Sequence, residues 1–266
     1  MAVGLQKACN MDLELLGKRV LVTGASQGIG KATVLGFLEE GANIIMVSRG
    51  FAQLNVLADE FKQNYGDNRV ISSACDCTNE NDLASLKQLI EKKWGGVDVV
   101  VANVGDGRSV VDAMPSSDQW KKTWDSNFES ALLTVRTFLP MLEISKGNLL
   151  FVSSIAGIEA FGAPVDYSTA KAAIIALAKN MSRKLTDVRI NVVAPGNVYF
   201  EGGSWDEKIK QDKSRVDNII QATVPMNRFA SPQEIVDSIV FLCSDRASFI
   251  TGSTLVVDGG QTVGGF

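Results

Sequence analysis

The chain has 266 residues, 45% of them hydrophobic and 21% charged, with a formal net charge of −4 and no histidine. That balance excludes a disordered polyelectrolyte and suits a globular core, and net negative charge without clustered Lys or Arg argues against nucleic acid as a partner. No run of about 18 apolar residues predicts a membrane-spanning helix, and four cysteines without histidine offer too few ligands for a metal site.

The first residues, "MAVGLQKACNMDLELLGK", contain no apolar stretch of the signal-peptide kind. Residues 1–12 read as a loose leader before a single domain over 13–266. A strand is expected at "RVLVTG" (Arg19–Gly24), then a helix over Gly28–Glu40 stopped by Gly41. "NIIMVS" (Asn43–Ser48) is a second strand, Phe51–Gln63 a helix, and "RVISSA", ending at Ala74, a third strand. Asn79 suits the cap of a helix over Asn81–Lys93. "VDVVVA" (Val97–Ala102), "NLLFVS" (Asn148–Ser153), "RINVVA" (Arg189–Ala194) and "TLVVDGG" near the C-terminus complete the series. Cys9, Cys75, Cys77 and Cys243 are expected as reduced thiols of a cytoplasmic protein, with Cys75 and Cys77 on opposite faces of a strand.

Short apolar strands alternating with helical segments mean parallel strands buried on both faces. Right-handed crossovers then give a Rossmann-type doubly wound α/β sheet of about seven strands with helices on both faces. Ligands bind such sheets beyond the carboxyl ends of the strands. One rim therefore collects the loop after Thr23, the loop after Ala102, Ser153–Ser154 and Pro195–Gly196.

"TGASQGIG" (Thr23–Gly30) joins the first strand to the first helix. Gly24, Gly28 and Gly30 permit a tight turn and close approach of a phosphate to a helix N-terminus, although a plain turn would use the same residues. A dinucleotide fold that selects NAD places an acidic residue at the end of the second strand to hold the ribose. Here Ser48 and Arg49 stand in that place, which suits a 2′-phosphate; an ordinary surface arginine is the plainer alternative.

Tyr167 and Lys171 are four apart and share a helix face, at the rim where Ser154 ends a strand. With these residues in place the chain resembles the short-chain dehydrogenase/reductase family, on the side of its 3-oxoacyl reductases, over about Leu16–Gly260. "TGASQGIG" is similar to the family's cofactor loop, which brings in Ser26, Gln27 and Ile29, and Tyr167 to Lys171 is similar to its Y-x-x-x-K. The resemblance implies a catalytic set of Asn127, Ser154, Tyr167 and Lys171. It further implies cofactor contacts from Asp76 and Cys77 at the adenine, from Asn103 and Gly105, and from Pro195, Gly196 and Val198 beside the nicotinamide. In the family Tyr167 moves the proton, Ser154 binds the carbonyl oxygen, Lys171 lowers the tyrosine pKa and holds the ribose, and Asn127 keeps a water in a relay. Members usually assemble as homotetramers or dimers through the helices around Asn127 and Tyr167 and through the last strand.

The chain departs from the family at Ala102 and Val104, since its N-N-A-G segment appears as Ala102-Asn103-Val104-Gly105; at Phe200, where many members carry a Thr; and at Gln27, basic in some NADP-binding members. The Tyr–Lys pair also answers the absence of histidine. An ammonium about 4 Å from a phenol favours phenolate by roughly 4 kcal/mol at an effective dielectric near 20, about 3 pKa units before desolvation. Ser153 is expected to face into the fold, opposite to Ser154.

Asn197 to Phe229 is long, mixes aromatics with glycines and charges, and reads as a substrate lid hinged at Gly202 and Gly203. Tyr199, Phe200 and Trp205 are its candidate substrate contacts, or else anchors of the loop itself; Arg108 is read as a surface residue. Together these expectations describe an NADP(H)-dependent oxidoreductase interconverting a small-molecule ketone and a secondary alcohol, without metal, nucleic acid or membrane. The alternatives are an NAD-preferring dehydrogenase and a cofactor-binding sensor or scaffold without catalysis.

Overall fold

The apolar stretches become the strands of one sheet in the computed structural model, which describes residues 12–264. The strands are β1 (Arg19–Thr23), β2 (Asn43–Ser48), β3 (Val70–Ala74), β4 (Val99–Ala102), β5 (Asn148–Val152), β6 (Arg189–Pro195) and β7 (Thr254–Val257). All pair in parallel, in the order β3-β2-β1-β4-β5-β6-β7. The order reverses between β1 and β4, so the crevice of this doubly wound sheet opens at their carboxyl ends.

The helices are α1 (Gly28–Glu39), α2 (Phe51–Tyr65), α3 (Glu80–Trp94), α4 (Ser117–Trp124), α5 (Ser130–Ser145), α6 (Val165–Ser182), α7 (Ser204–Gln211), α8 (Lys213–Thr223) and α9 (Pro232–Cys243). Alternation along each strand assigns them to two layers. Val20 and Val22 of β1 face one core, shared with Phe37 of α1, Leu54 of α2 and Ile239 of α9. Leu21 faces the other, with Leu86 of α3, Phe138 of α5 and Ile174 of α6. Local signals act where the sequence places them: the Asn79 side chain accepts from the N–H groups of Asn81 and Asp82 and caps α3, and left-handed Gly95 ends it.

Three expectations change. β3 stops at Ala74, and Cys75 and Cys77 are buried in the same core instead of on opposite faces, because residues two apart share one side of an extended chain. The hydrogen bond it donates to Cys77, together with burial, holds the Cys75 thiol well above the usual range. The segment around Asn127 forms a π-helical turn (Asp125–Glu129) between α4 and α5, which periodicity does not announce. The proposed lid folds as α7 and α8 rather than as an irregular loop. The leader and Cys9 lie outside the described residues.

A short 3₁₀ turn (Ile155–Gly157) presses the end of β5 against α6. Gly157 permits it, since a Cβ there would stand 2.6 Å from the carbonyl carbon of Lys171. Gly157→Ala should therefore cost roughly 1–3 kcal/mol, seen in thermal melts as a Tm lowered by roughly 2–4 °C per kcal/mol. An unchanged Tm would mean that the turn relaxes freely.

Candidate active site

At the crevice, Asn103 stitches the glycine turn to β4. Its Nδ2 donates to the carbonyl oxygens of Thr23 (3.0 Å) and Gly24 (3.4 Å), and its N–H donates to Thr23 Oγ1 (3.0 Å). Gly30 allows α1 to stand on the turn, because a Cβ there would lie 2.0 Å from the Gly24 oxygen. Gln27 begins α1 without a side-chain cap, and the first turn carries no acidic residue. Its N–H groups and the positive end of its dipole are thus open to an anion.

Two buried polar atoms along this rim have no partner among the described residues: Ser48 Oγ, at the end of β2, and Asn197 Nδ2, after β6. Arg49 is exposed next to Ser48 and electrostatically close to Asp76. Asp76 Oδ1 accepts from Thr78 N–H (2.9 Å) and Oγ1 (2.7 Å), which hold its carboxyl below the usual range. Cys77 is buried behind it. On the other side Gly196 N–H donates to Val257 O (2.9 Å), and Val198 bridges to Ala230, so both stems of the lid are fixed to the sheet. Orphaned polar atoms, an uncapped helix start and a free arginine fit a phosphorylated dinucleotide. One feature crowds it: the Phe200 ring stands over Gly28, 2.7 Å from where a Cβ would be, and also packs on Gly203.

Ser154, Tyr167, Lys171 and Asn127 converge at the ends of β4 and β5. Ser154 Oγ accepts from Ala156 N–H (3.1 Å) and is near enough to the Tyr167 phenol to pull its pKa down. Ser153 does face inward: it is 4% exposed, and its Oγ donates to Lys171 O (2.8 Å). Lys171 is 4% exposed, and its Nζ donates to Val152 O (3.1 Å). Asn127 is fixed by the π turn: its Nδ2 donates to Thr123 O and Asp106 O, both at 3.0 Å, and its Oδ1 accepts from Asp106 N–H (3.1 Å). Gly105 lies between the two, since a Cβ there would be 2.8 Å from both Asn127 Oδ1 and Lys171 Nζ.

The titration of this pair departs from the sequence expectation. Burial lowers the Lys171 ammonium to about 8. Burial also pushes the Tyr167 phenol above its ordinary range, aided by the Asp106 charge and opposed by the Ser154 hydroxyl. The ammonium lies 5.8 Å from the phenol ring centroid, and desolvation is the largest influence on the phenol. In this form the tyrosine is an acid with its proton on.

The lid aromatics pack largely on one another. Trp205 lies 5.3 Å from Phe229 and under Lys208 Nζ at 4.3 Å, while Tyr199 lies 6.1 Å from Phe229. Asp206, 4% exposed, accepts from Gly202 N–H (2.9 Å), Tyr199 Oη (3.2 Å) and Lys210 Nζ (2.7 Å), so the expected hinge is pinned. Arg108 is more than a surface residue: it crosses from the β4 loop to α7, donating to both Glu207 oxygens (3.1 and 2.9 Å) and to Gly202 O (3.2 Å).

A family model described as "Enoyl-(Acyl carrier protein) reductase" matches residues 24–262. The chain belongs to the short-chain dehydrogenase/reductase family. It is 30% identical, over 94% of its own length and all of the relative's, to a 3-oxoacyl-(acyl-carrier-protein) reductase of Thermotoga maritima. The L-sorbose reductase of Gluconobacter frateurii, solved with NADPH and L-sorbose, superposes with a TM-score of 0.89 at 29% identity, covering 96% of this chain and all of that one. A 7α-hydroxysteroid dehydrogenase solved with NADH and 7-oxo glycochenodeoxycholic acid gives a TM-score of 0.85 at 28% identity, covering 95% and 98%. The protein is thus an oxidoreductase of this family, acting on CH–OH/C=O groups.

The sequence does not disclose Ser109, Gln119, Thr123 and Asp166, which form a polar cluster beneath Tyr167. The position of Asp166, one residue before the tyrosine in the first turn of α6, is the only hint. Glu207→Arg should break the Arg108 bridge and speed amide hydrogen exchange across α7, and adding Arg108→Glu should slow it again. Equal exchange in all three proteins would show that the bridge does not hold the lid.

Proposed function

We propose that the protein is an NADP(H)-dependent reductase of ketones, running in reverse on secondary alcohols, with Tyr167 as general acid and base. The observation that carries this reading is the gathering of Ser154, the protonated Tyr167 phenol and buried Lys171 at the sheet rim that also bears the uncapped start of α1. The nicotinamide, when bound, supplies or accepts the hydride. Ser154 donates to the carbonyl oxygen as negative charge develops there. Tyr167 delivers its proton to that oxygen, or removes it from the alcohol in the other direction. The Lys171 ammonium, still mostly charged at neutral pH with its pKa near 8, stabilises the phenolate left behind. Asn127 and Lys171, facing each other across Gly105, mark the route by which the proton is restored.

Preference for NADP(H) rests on exposed Arg49 beside the unpartnered Ser48 Oγ, with no acidic residue at the end of β2. The glycine turn (Gly24, Ser26, Gln27, Gly28, Ile29, Gly30) would hold the pyrophosphate; Asp76, Cys77, Asn103 and Gly105 would hold the adenosine side. Pro195, Gly196 and Val198 would flank the nicotinamide. Of the lid residues, Phe200 lies on the glycine turn and suits substrate contact better than Tyr199, which packs on Phe229, and Trp205, which is covered by Phe229 and Lys208. Self-association as a homotetramer or dimer fits edge strand β7, where Leu255 is 36% exposed, and fully exposed Phe249. No helix of the described residues is long and apolar enough to cross a membrane.

Tyr167→Phe should keep cofactor affinity within about threefold and lose about 10²–10⁴ in kcat, the range of general acid–base catalysis. Near-normal turnover of any accepted ketone would refute the role. Wild type should show a higher kcat/KM with NADPH than with NADH, and Arg49→Asp should reverse the order; equal values in wild type would favour the NAD-preferring alternative.

A further inference from the structure

The loop after β4 crosses the site as a strap, and residues 106–109 are tied to three elements: the π turn, α6 and α7. Asp106 is bound by both ends of the Asn127 amide, through its N–H (3.1 Å) and its carbonyl (3.0 Å). Gly107 lies over the catalytic phenol, where a Cβ would be 3.7 Å from Tyr167 Cζ. Arg108 reaches Glu207 in the lid. Ser109 Oγ donates to Asp166 Oδ2 at 2.5 Å.

Asp166 is 1% exposed, and its hydrogen-bond partners are neutral donors. Its other oxygen, Oδ1, accepts the N–H of Tyr167 (2.8 Å). Gln119 Nε2 donates to Ser109 Oγ (3.0 Å) and to Thr123 Oγ1 (3.1 Å), and the Thr123 carbonyl accepts from Asn127 Nδ2 (3.0 Å). A continuous chain of hydrogen bonds thus runs from Asn127 through Thr123, Gln119 and Ser109 to Asp166 and the backbone of Tyr167. A carboxylate is costly to bury among neutral groups unless its lone pairs are satisfied. Here the donors come from the strap and from the first turn of α6, where the helix dipole favours an anion. The carboxylate therefore fastens the strap to the residue that carries the phenol.

We infer that Asp166 is a positioning residue for the reduction: it locks the 106–109 strap to the start of α6, and so fixes the placement of the Tyr167 ring, against which Gly107 packs. This rests on the ketone-reductase reading for its kinetic consequence, but the mechanical link does not. Asp166 would touch neither substrate nor cofactor, so its loss should act on alignment in the chemical step rather than on binding.

The test compares Asp166→Ala, Asp166→Asn, Ser109→Ala and the Ser109→Ala/Asp166→Ala double variant. Asp166→Ala should lower kcat by roughly 10- to 100-fold, with NADPH Kd and ketone KM within about threefold of wild type. Asp166→Asn should recover kcat to within about threefold, because its amide can accept from Tyr167 N–H and donate to Ser109 Oγ. The double variant should be no worse than Asp166→Ala alone, since both changes cut the same link. Amide hydrogen exchange supplies a readout independent of turnover: residues 106–109 and 167 should exchange at least tenfold faster in Asp166→Ala, with α9 unchanged. Should Asp166→Ala fail to fold, Ser109→Ala carries the same exchange test. Unchanged exchange in the strap overturns the proposal, as does an unchanged kcat in Asp166→Ala, additive losses in the double variant, or no recovery in Asp166→Asn. Faster strap exchange in a protein that reduces no ketone would support the link and refute the proposed activity instead.

Discussion

The site is organised around one buried ammonium. Lys171 is almost fully enclosed, and the hydrogen bond it makes is to a single neutral oxygen, Val152 O. Burial lowers its pKa to about 8, a penalty on the charged form of about 3 kcal/mol. The fold accepts that cost because the space around Nζ is shaped by residues without side chains: Gly105 beside the ammonium and Gly157 against the backbone of Lys171 itself. Since α6 is fixed at that point, Tyr167, one turn earlier, is held beside Ser154 at the end of β5.

From that constraint the division of labour follows. The same desolvation that makes Lys171 reluctant to carry charge keeps the proton on Tyr167. A phenol that is protonated at rest is ready to act in the reductive direction; the nearby cation matters once the proton has left. In the proposed mechanism the absence of histidine is no handicap, because the acid there is a tyrosine and its stabiliser a lysine. The strap from Asp106 to Ser109 and the lid from Tyr199 to Phe229 surround this centre, and Arg108 ties the two together.

Much of this was legible in the sequence, for identifiable reasons. Strands such as "VDVVVA" are apolar on both faces, so parallel pairing and a two-layered cover of helices follow from burial alone. Asn79 and Gly95 mark the ends of α3 by local chemistry that does not depend on the rest of the fold. The glycine turn and the Tyr167–Lys171 pair were visible as spacings. What was not visible depends on contacts between distant residues. The π turn that presents Asn127 arises from its bonds to Thr123 and Asp106, and the network from Ser109 to Asp166 joins residues 57 apart. The sign of the tyrosine shift could not be read from a four-residue spacing, because it is set by burial and the Asp106 charge against the Ser154 hydroxyl.

The buried ammonium is open to direct measurement by ¹³C NMR on protein labelled at lysine Cε, titrated without cofactor and assigned by comparison with Lys171→Met. The resonance missing from the variant should titrate with a midpoint near 8. A midpoint at the ordinary lysine value of 10.5 would contradict the burial and its consequences for Tyr167.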